Sequence, residues 1–94
     1  MEFTLELSPQ AKRDFKKLPK NIQQEILFTH LPAIQANPYE VGTPLRGALK
    51  GECSYHFGRK PEYRIVYFVE GKLITVTILG TRENIYKRAR RRRR

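Results

Sequence analysis

Tyr63-Arg64-Ile65-Val66-Tyr67-Phe68-Val69 and Leu73-Ile74-Thr75-Val76-Thr77-Ile78-Leu79 flank the short joint Glu70-Gly71-Lys72. Both runs are dense in β-branched and aromatic side chains, which suit a pleated, half-buried surface, and a three-residue joint with a glycine closes such runs as a hairpin. Cys53 to Gly58 is a third run of the same kind, tied to the first of these by Gly58-Arg59-Lys60-Pro61-Glu62. Two successive short connections predict an antiparallel meander.

Working outward, residues 2–7 alternate, with Phe3, Leu5 and Leu7 on one face and Glu2, Thr4 and Glu6 on the other, the period of a half-buried strand. Ser8-Pro9 ends it and starts a helix, because serine accepts a backbone N–H at the cap and proline is tolerated at the first helical position. Ala11, Phe15 and Leu18 then form an apolar stripe, and Lys12, Arg13, Lys16, Lys17 and Lys20 make the outer face basic. Leu18-Pro19 breaks this helix and opens a second, striped by Ile22, Ile26 and Leu27. Pro32 lies inside that second pattern, where its missing donor and ring clash predict a kink or the end of the regular helix near Leu31. Residues 38–51, with two prolines and three glycines, read as the long loop of the domain. The fold class is α+β: an N-terminal strand and a two-helix hairpin packed on a small twisted antiparallel sheet.

The chain has 94 residues, room for one core. Its formal net charge is +10, from 19 Lys and Arg against 9 Asp and Glu. Lys87, Arg88 and Arg90 to Arg94 supply seven of those cations, so residues 1–86 carry only +3. Residues 1–86 therefore read as the domain and residues 87–94 as a basic, self-repelling tail outside the fold. The body's own partner must be found from placed residues and not from bulk charge. Cys53 is the single cysteine, which excludes an internal disulfide and fits a reducing cytoplasm. The longest apolar run, Ile65 to Val69, is far short of the roughly 20 residues that span a bilayer, and Met1-Glu2-Phe3-Thr4 has no leader pattern. The expectation is a cytoplasmic protein with no membrane segment.

Phosphate-loop, paired-cysteine zinc and nucleophile-elbow patterns are absent. Cys53, His30 and His56 lack the spacing of a metal site, so neither metal nor cofactor is expected, and Cys53 reads as a small core thiol. What stands out is a concentration of Arg, Lys, His and Tyr in the second half: Arg46, Lys50, His56, Arg59, Lys60, Tyr63, Arg64, Arg82 and Tyr86. Arg64 opens an otherwise apolar strand, so it either pairs with a carboxylate or faces a ligand. Arg82 follows Gly80-Thr81, where a strand end opens into a loop, a frequent place for site residues.

Leu45-Arg46-Gly47, Leu49-Lys50-Gly51, Tyr63-Arg64-Ile65-Val66-Tyr67 and Leu79-Gly80-Thr81-Arg82-Glu83-Asn84-Ile85-Tyr86, preceded by Ser8-Pro9-Gln10-Ala11 and Phe15-Lys16-Lys17-Leu18-Pro19, resemble the RelE/ParE superfamily of small toxins over residues 2–87. The resemblance implies a RelE-like compact domain, a cognate antitoxin partner in a toxin–antitoxin hetero-oligomer, and one of two activities. One branch consists of endoribonucleases that cut mRNA, often on the ribosome, without a cofactor; the other poisons DNA gyrase. In the RNA-cutting branch, arginines at the positions of Arg64 and Arg82 and a tyrosine near that of Tyr86 act on the scissile phosphate. The branch's best-known member also uses two lysines, and placing Gly51 and Gly58 on the pattern puts Ser54 and His56 there.

That departure bears on the chemistry. Cleavage of RNA without metal needs a base for the 2′-hydroxyl proton, an acid for the leaving 5′ oxygen, and positive charge around the phosphorane. Ser54 cannot act as a base unaided, whereas His56 takes or gives a proton near neutrality. Ser54, His56 and Gly58 share one strand face, opposite Cys53, Tyr55 and Phe57. The expected catalytic set is His56, Arg64, Arg82 and Tyr86, with Arg46, Lys50, Arg59 and Lys60 holding RNA backbone by charge. The alternatives are a gyrase-directed toxin, an inactive binding protein of the same fold, or a nucleic-acid binder acting through its tail.

Overall fold

A computed structural model of the chain describes residues 3–47, 50–85 and 87. The chain runs β1 (Thr4–Leu7), α1 (Pro9–Lys17), α2 (Lys20–Glu25), a π turn (Ile26–His30), α3 (Leu31–Ala36), α4 (Pro38–Val41), β2 (Thr43–Pro44), β3 (Cys53–Phe57), β4 (Tyr63–Glu70) and β5 (Leu73–Thr81). Residues 82–85 then form one helical turn. The five strands make one sheet in the order β1-β5-β4-β3-β2. β3, β4 and β5 form the expected antiparallel meander.

The antiparallel expectation does not extend to β1, which pairs parallel to β5 with Leu7 opposite Val76. The chain leaves β1 through the helices and returns through the meander, so β1 meets the last strand running in the same direction. β1 ends at Ser8, whose N–H donates to Val76 O at 2.9 Å. Beyond that point the side of β5 toward β1 has no strand partner among the described residues. The buried carboxylate of Asp14 fills the gap, accepting from the Leu79 N–H at 3.1 Å and from Gln10 Nε2 at 2.8 Å.

Ser8 caps α1 as its sequence requires, its Oγ accepting the Ala11 N–H at 3.1 Å with Pro9 in the first turn. The regular α register of the second helix ends earlier than expected, at Glu25. Leu31 N–H reaches back five residues to Ile26 O, and the helix then continues through Pro32 to Ala36. The wide turn resolves the proline problem, since proline lacks an N–H and crowds the turn before it. It also changes which residues face inward. Ile26, His30, Leu31 and Ile34 are buried, while Leu27, expected in the apolar stripe, is exposed. The long loop holds two short elements the sequence did not announce, α4 and β2.

Helices cover one face of the sheet. Phe57, Tyr63, Ile65, Tyr67, Ile74, Val76 and Leu79 pack there against Ala11, Ile26, Leu31 and Ile34. Tyr67 is fully buried and its hydroxyl donates to Pro38 O at 2.6 Å. Gly42 sits against that hydroxyl, and a Cβ there would run into it. The opposite face carries a smaller cluster, Val66, Ile78 and Ile85 with Leu45 against them. Among the described residues no helix is long and apolar enough to cross a membrane.

Candidate active site on the open face of the sheet

The period-two alternation of β3 sends Cys53, Tyr55 and Phe57 into the helix-side core and His56 to the other face, where it is exposed. His56 lies directly across from Arg64 on β4, and Arg64 lies across from Gly80 on β5. Side chains so paired stand about 5 Å apart at Cβ. Of the two alternatives posed by Arg64, the pairing with a carboxylate is met: its Nε donates to Glu62 Oε2 at 2.8 Å, and across the sheet it lies beside His56. Glu62 lies just before β4, two residues from Arg64, and this bond joins the loop to the head of the strand.

Arg82 joins this group through the backbone. Its N–H donates to Glu62 O at 3.0 Å, locking the end of β5 to the start of β4. Thr81 Oγ1 accepts the Asn84 N–H at 3.4 Å as a cap, and buried Ile85 anchors the helical turn that begins with Arg82. Arg59, Pro61, Glu62, Thr81, Arg82, Glu83 and Lys87 line an open cleft of about 600 Å³. The hydrogen bond from Arg64 holds the Glu62 carboxyl below its ordinary range, with the charges of Arg64, His56 and Arg82 acting in the same direction. One carboxylate therefore sits among His56, Arg64 and Arg82. Sequence reading passed over Glu62, although its place at the end of the loop, two residues before Arg64, was the available signal.

The other expected residues fall in different places. Arg59 lines the cleft beside Arg82, and both Arg59 and Lys60 also border a second cavity of about 340 Å³ toward α2. Arg46 and Lys50 are exposed beyond the opposite end of β3, where Leu45 N–H donates to Glu52 O at 2.8 Å. Glu52 is four residues from His56, about 13 Å along a strand, so these two cations stand apart from the His56 group. Tyr86 lies outside the described residues, as do Arg88 to Arg94 of the tail. Ser54 is buried, and its Oγ has no hydrogen-bond partner among the described residues.

His30 and Cys53 are absorbed by the core. His30 Nδ1 meets Tyr55 Oη at 2.7 Å, Nε2 meets Glu25 Oε2 at 2.8 Å, and the ring stacks on Phe57 at 4.0 Å. Burial, aided by Glu25, pushes the Tyr55 hydroxyl upward, so it stays a neutral donor or acceptor. Burial and Glu52 likewise push the Cys53 thiol up, away from the reactive thiolate. Among the described residues no three His, Cys, Asp or Glu side chains are grouped to hold a metal.

A family model described as the ParE toxin of the type II toxin–antitoxin system parDE matches residues 5–86. The chain belongs to the RelE/ParE superfamily of toxins. It is 33% identical to the toxin RelG of Mycobacterium tuberculosis over 90 residues, which is 94% of this chain and all of that relative. The toxin of the solved RelBE2 toxin–antitoxin complex of M. tuberculosis superposes with a TM-score of 0.78 at 26% identity, covering 87% of this chain and all of that one. The free Escherichia coli toxin RelE, solved as a variant with two arginines replaced by alanine, gives a TM-score of 0.75 at 25% identity over 98% of both chains. This RelE/ParE chain is accordingly the toxin of a type II toxin–antitoxin system.

Proposed function

We propose that this toxin is an endoribonuclease that cleaves mRNA, on the ribosome, by attack of a 2′-hydroxyl on the adjacent phosphate. The observation that carries the reading is the grouping of His56, Arg64 and Arg82 at the face of the sheet opposite the α1–α3 layer. Two guanidinium groups beside an exposed imidazole supply what the transition state requires: fixed positive charge for the phosphorane and a group that exchanges a proton near neutrality. Arg64 and Arg82 stabilise the phosphate charge, His56 acts in proton transfer, and Tyr86 orients the attacking 2′-hydroxyl. Arg46, Lys50, Arg59 and Lys60 engage the RNA backbone on either side. No cofactor takes part, and the reaction belongs in the cytoplasm, where ribosomes are. The structural relative solved as a toxin–antitoxin complex supports a cognate antitoxin as partner.

The test is primer extension on cellular mRNA after brief expression of the wild type and of the Arg64→Ala/Arg82→Ala variant. The wild type should give codon-phased cuts and the double variant none, at unchanged melting temperature; equal cutting by both would overturn the assignment. A gyrase-directed toxin is the second reading, favoured by the ParE description of the matching family model and by Ser54 and His56 standing where the best-known RNA-cutting member has two lysines. It predicts inhibited DNA supercoiling and no RNA fragments.

A further inference from the structure

Displacement at a phosphate takes a proton off the 2′-oxygen and puts one on the 5′-oxygen, so it needs two groups in opposite protonation states. One histidine fills only one of these roles in a single step. Of the two carboxylates that line the cleft among the described residues, Glu62 and Glu83, Glu62 is the one bonded to Arg64. Glu62 is tied by its side chain to Arg64 at 2.8 Å and by its carbonyl oxygen to the Arg82 N–H at 3.0 Å. It therefore sits at the junction of the two arginines that would hold the phosphate. Arg64 in turn is the cross-strand neighbour of His56.

Resting on the ribonuclease reading, we propose that Glu62 is the general base of the cleavage and His56 its general acid. The Glu62 carboxylate accepts the proton of the 2′-hydroxyl, O2′ forms a bond to phosphorus, the bond from phosphorus to O5′ breaks, and the imidazolium of His56 gives its proton to O5′. The products are a 2′,3′-cyclic phosphate and a 5′-hydroxyl, with no water or oxidant consumed. Glu62 ends protonated and His56 neutral, and exchange with solvent restores both. Arg64 links the two events. As Glu62 takes up the proton it loses the charge that held the guanidinium, while the phosphorane gains charge, so Arg64 moves its attraction from the carboxylate to the reacting phosphate. Arg64 on β4, His56 on β3 and Arg82 on the helical turn face Glu62, with Arg59, Glu83 and Lys87 around the same cleft. The hydrogen bond from Arg64, helped by the charge of Arg82, holds the Glu62 carboxyl below its ordinary range and so ionised at neutrality, the state a base requires.

The experiment measures single-turnover cleavage of a synthetic mRNA bound to ribosomes with an empty A site, across pH, and repeats it with sulfur bridging phosphorus and the 5′ carbon. Glu62→Gln should slow cleavage by about 10² to 10⁴ and abolish the acidic limb of the pH profile, while Glu62→Asp keeps that limb at a lower rate. A thiolate leaves without a proton, so the sulfur substrate should rescue His56→Ala and not Glu62→Gln. A Glu62→Gln rate within about threefold of wild type, or rescue of Glu62→Gln by sulfur, would overturn the assignment of the base. Loss of the acidic limb in Glu62→Asp would do the same. A wild type that cuts neither substrate would instead overturn the ribonuclease reading, and this assignment with it.

Discussion

Each face of the sheet carries one histidine, and the two have opposite fates. His30 projects from the helix layer into the covered face, 7% exposed, with both ring nitrogens engaged and its plane stacked on Phe57. His56 projects from β3 into the open face, exposed, beside Arg64. The residue type is the same; what packs over it decides whether it serves the fold or stays available to a substrate. The same contrast separates the carboxylates. Asp14 is buried and satisfies the Leu79 N–H at the bare edge of β5, whereas Glu62 stands at the rim of a cleft among cations.

Removing each histidine in turn separates the two faces. His56→Ala should lower cleavage by about 10² to 10⁴ and shift stability by no more than about 0.5 kcal/mol, as an exposed substitution does. His30→Ala should do the reverse. It strips the partner from the Tyr55 hydroxyl and leaves a cavity beside Phe57, costing about 1–3 kcal/mol. For a domain of this size that lowers the melting temperature by roughly 4–8 °C per kcal/mol, with the cleavage rate of the folded fraction unchanged. Equal melting temperatures for the two variants would dissolve the distinction.

Smaller changes on the covered face sharpen it. Gly42→Ala places a methyl against the Tyr67 hydroxyl and should cost about 1–3 kcal/mol as overpacking, read by chemical denaturation. Tyr67→Phe removes the bond to Pro38 O and strands a buried carbonyl, for about 1 kcal/mol. The smallest effect belongs to the open face. Glu62 has a lowered carboxyl pKa in the folded state, so its contribution is present above the unfolded value of about 4.3 and is lost as pH falls through the lowered folded value. Acid unfolding of wild type and Glu62→Gln should therefore differ above that window and converge below it. A Glu62→Gln curve that diverges from wild type only at low pH would contradict the sign.

What was legible in the sequence is what local chemistry dictates. The period of two in residues 53–57 placed Ser54 and His56 opposite Cys53, Tyr55 and Phe57, and Ser8-Pro9 placed the start of α1, because each pattern is complete within a few residues. The parallel seat of β1, the burial of Asp14 and the partners of His30 were not legible. Asp14 is satisfied by a backbone group 65 positions away and His30 by a tyrosine 25 away, so no local pattern announces them. The π turn was half legible: Pro32 signalled trouble in the helix, but the relief lies one turn earlier, at Ile26 to His30. Of the candidate site, His56, Arg64 and Arg82 were singled out by type, position and the family resemblance, and the pairing of β3 with β4 and the Arg82 N–H bring them together. Glu62 was passed over because a loop glutamate looks ordinary until its carboxylate is seen on Arg64.

Cleavage of RNA at the open face by 2′-hydroxyl attack leaves its signature in the termini of the fragments. Ribosome-bound mRNA treated with the purified wild-type toxin should yield fragments whose new 5′ ends are hydroxyls, labelled by polynucleotide kinase without prior phosphatase treatment, and whose 3′ ends are 2′,3′-cyclic phosphates. Fragments bearing 5′-phosphates, or intact mRNA, would contradict it.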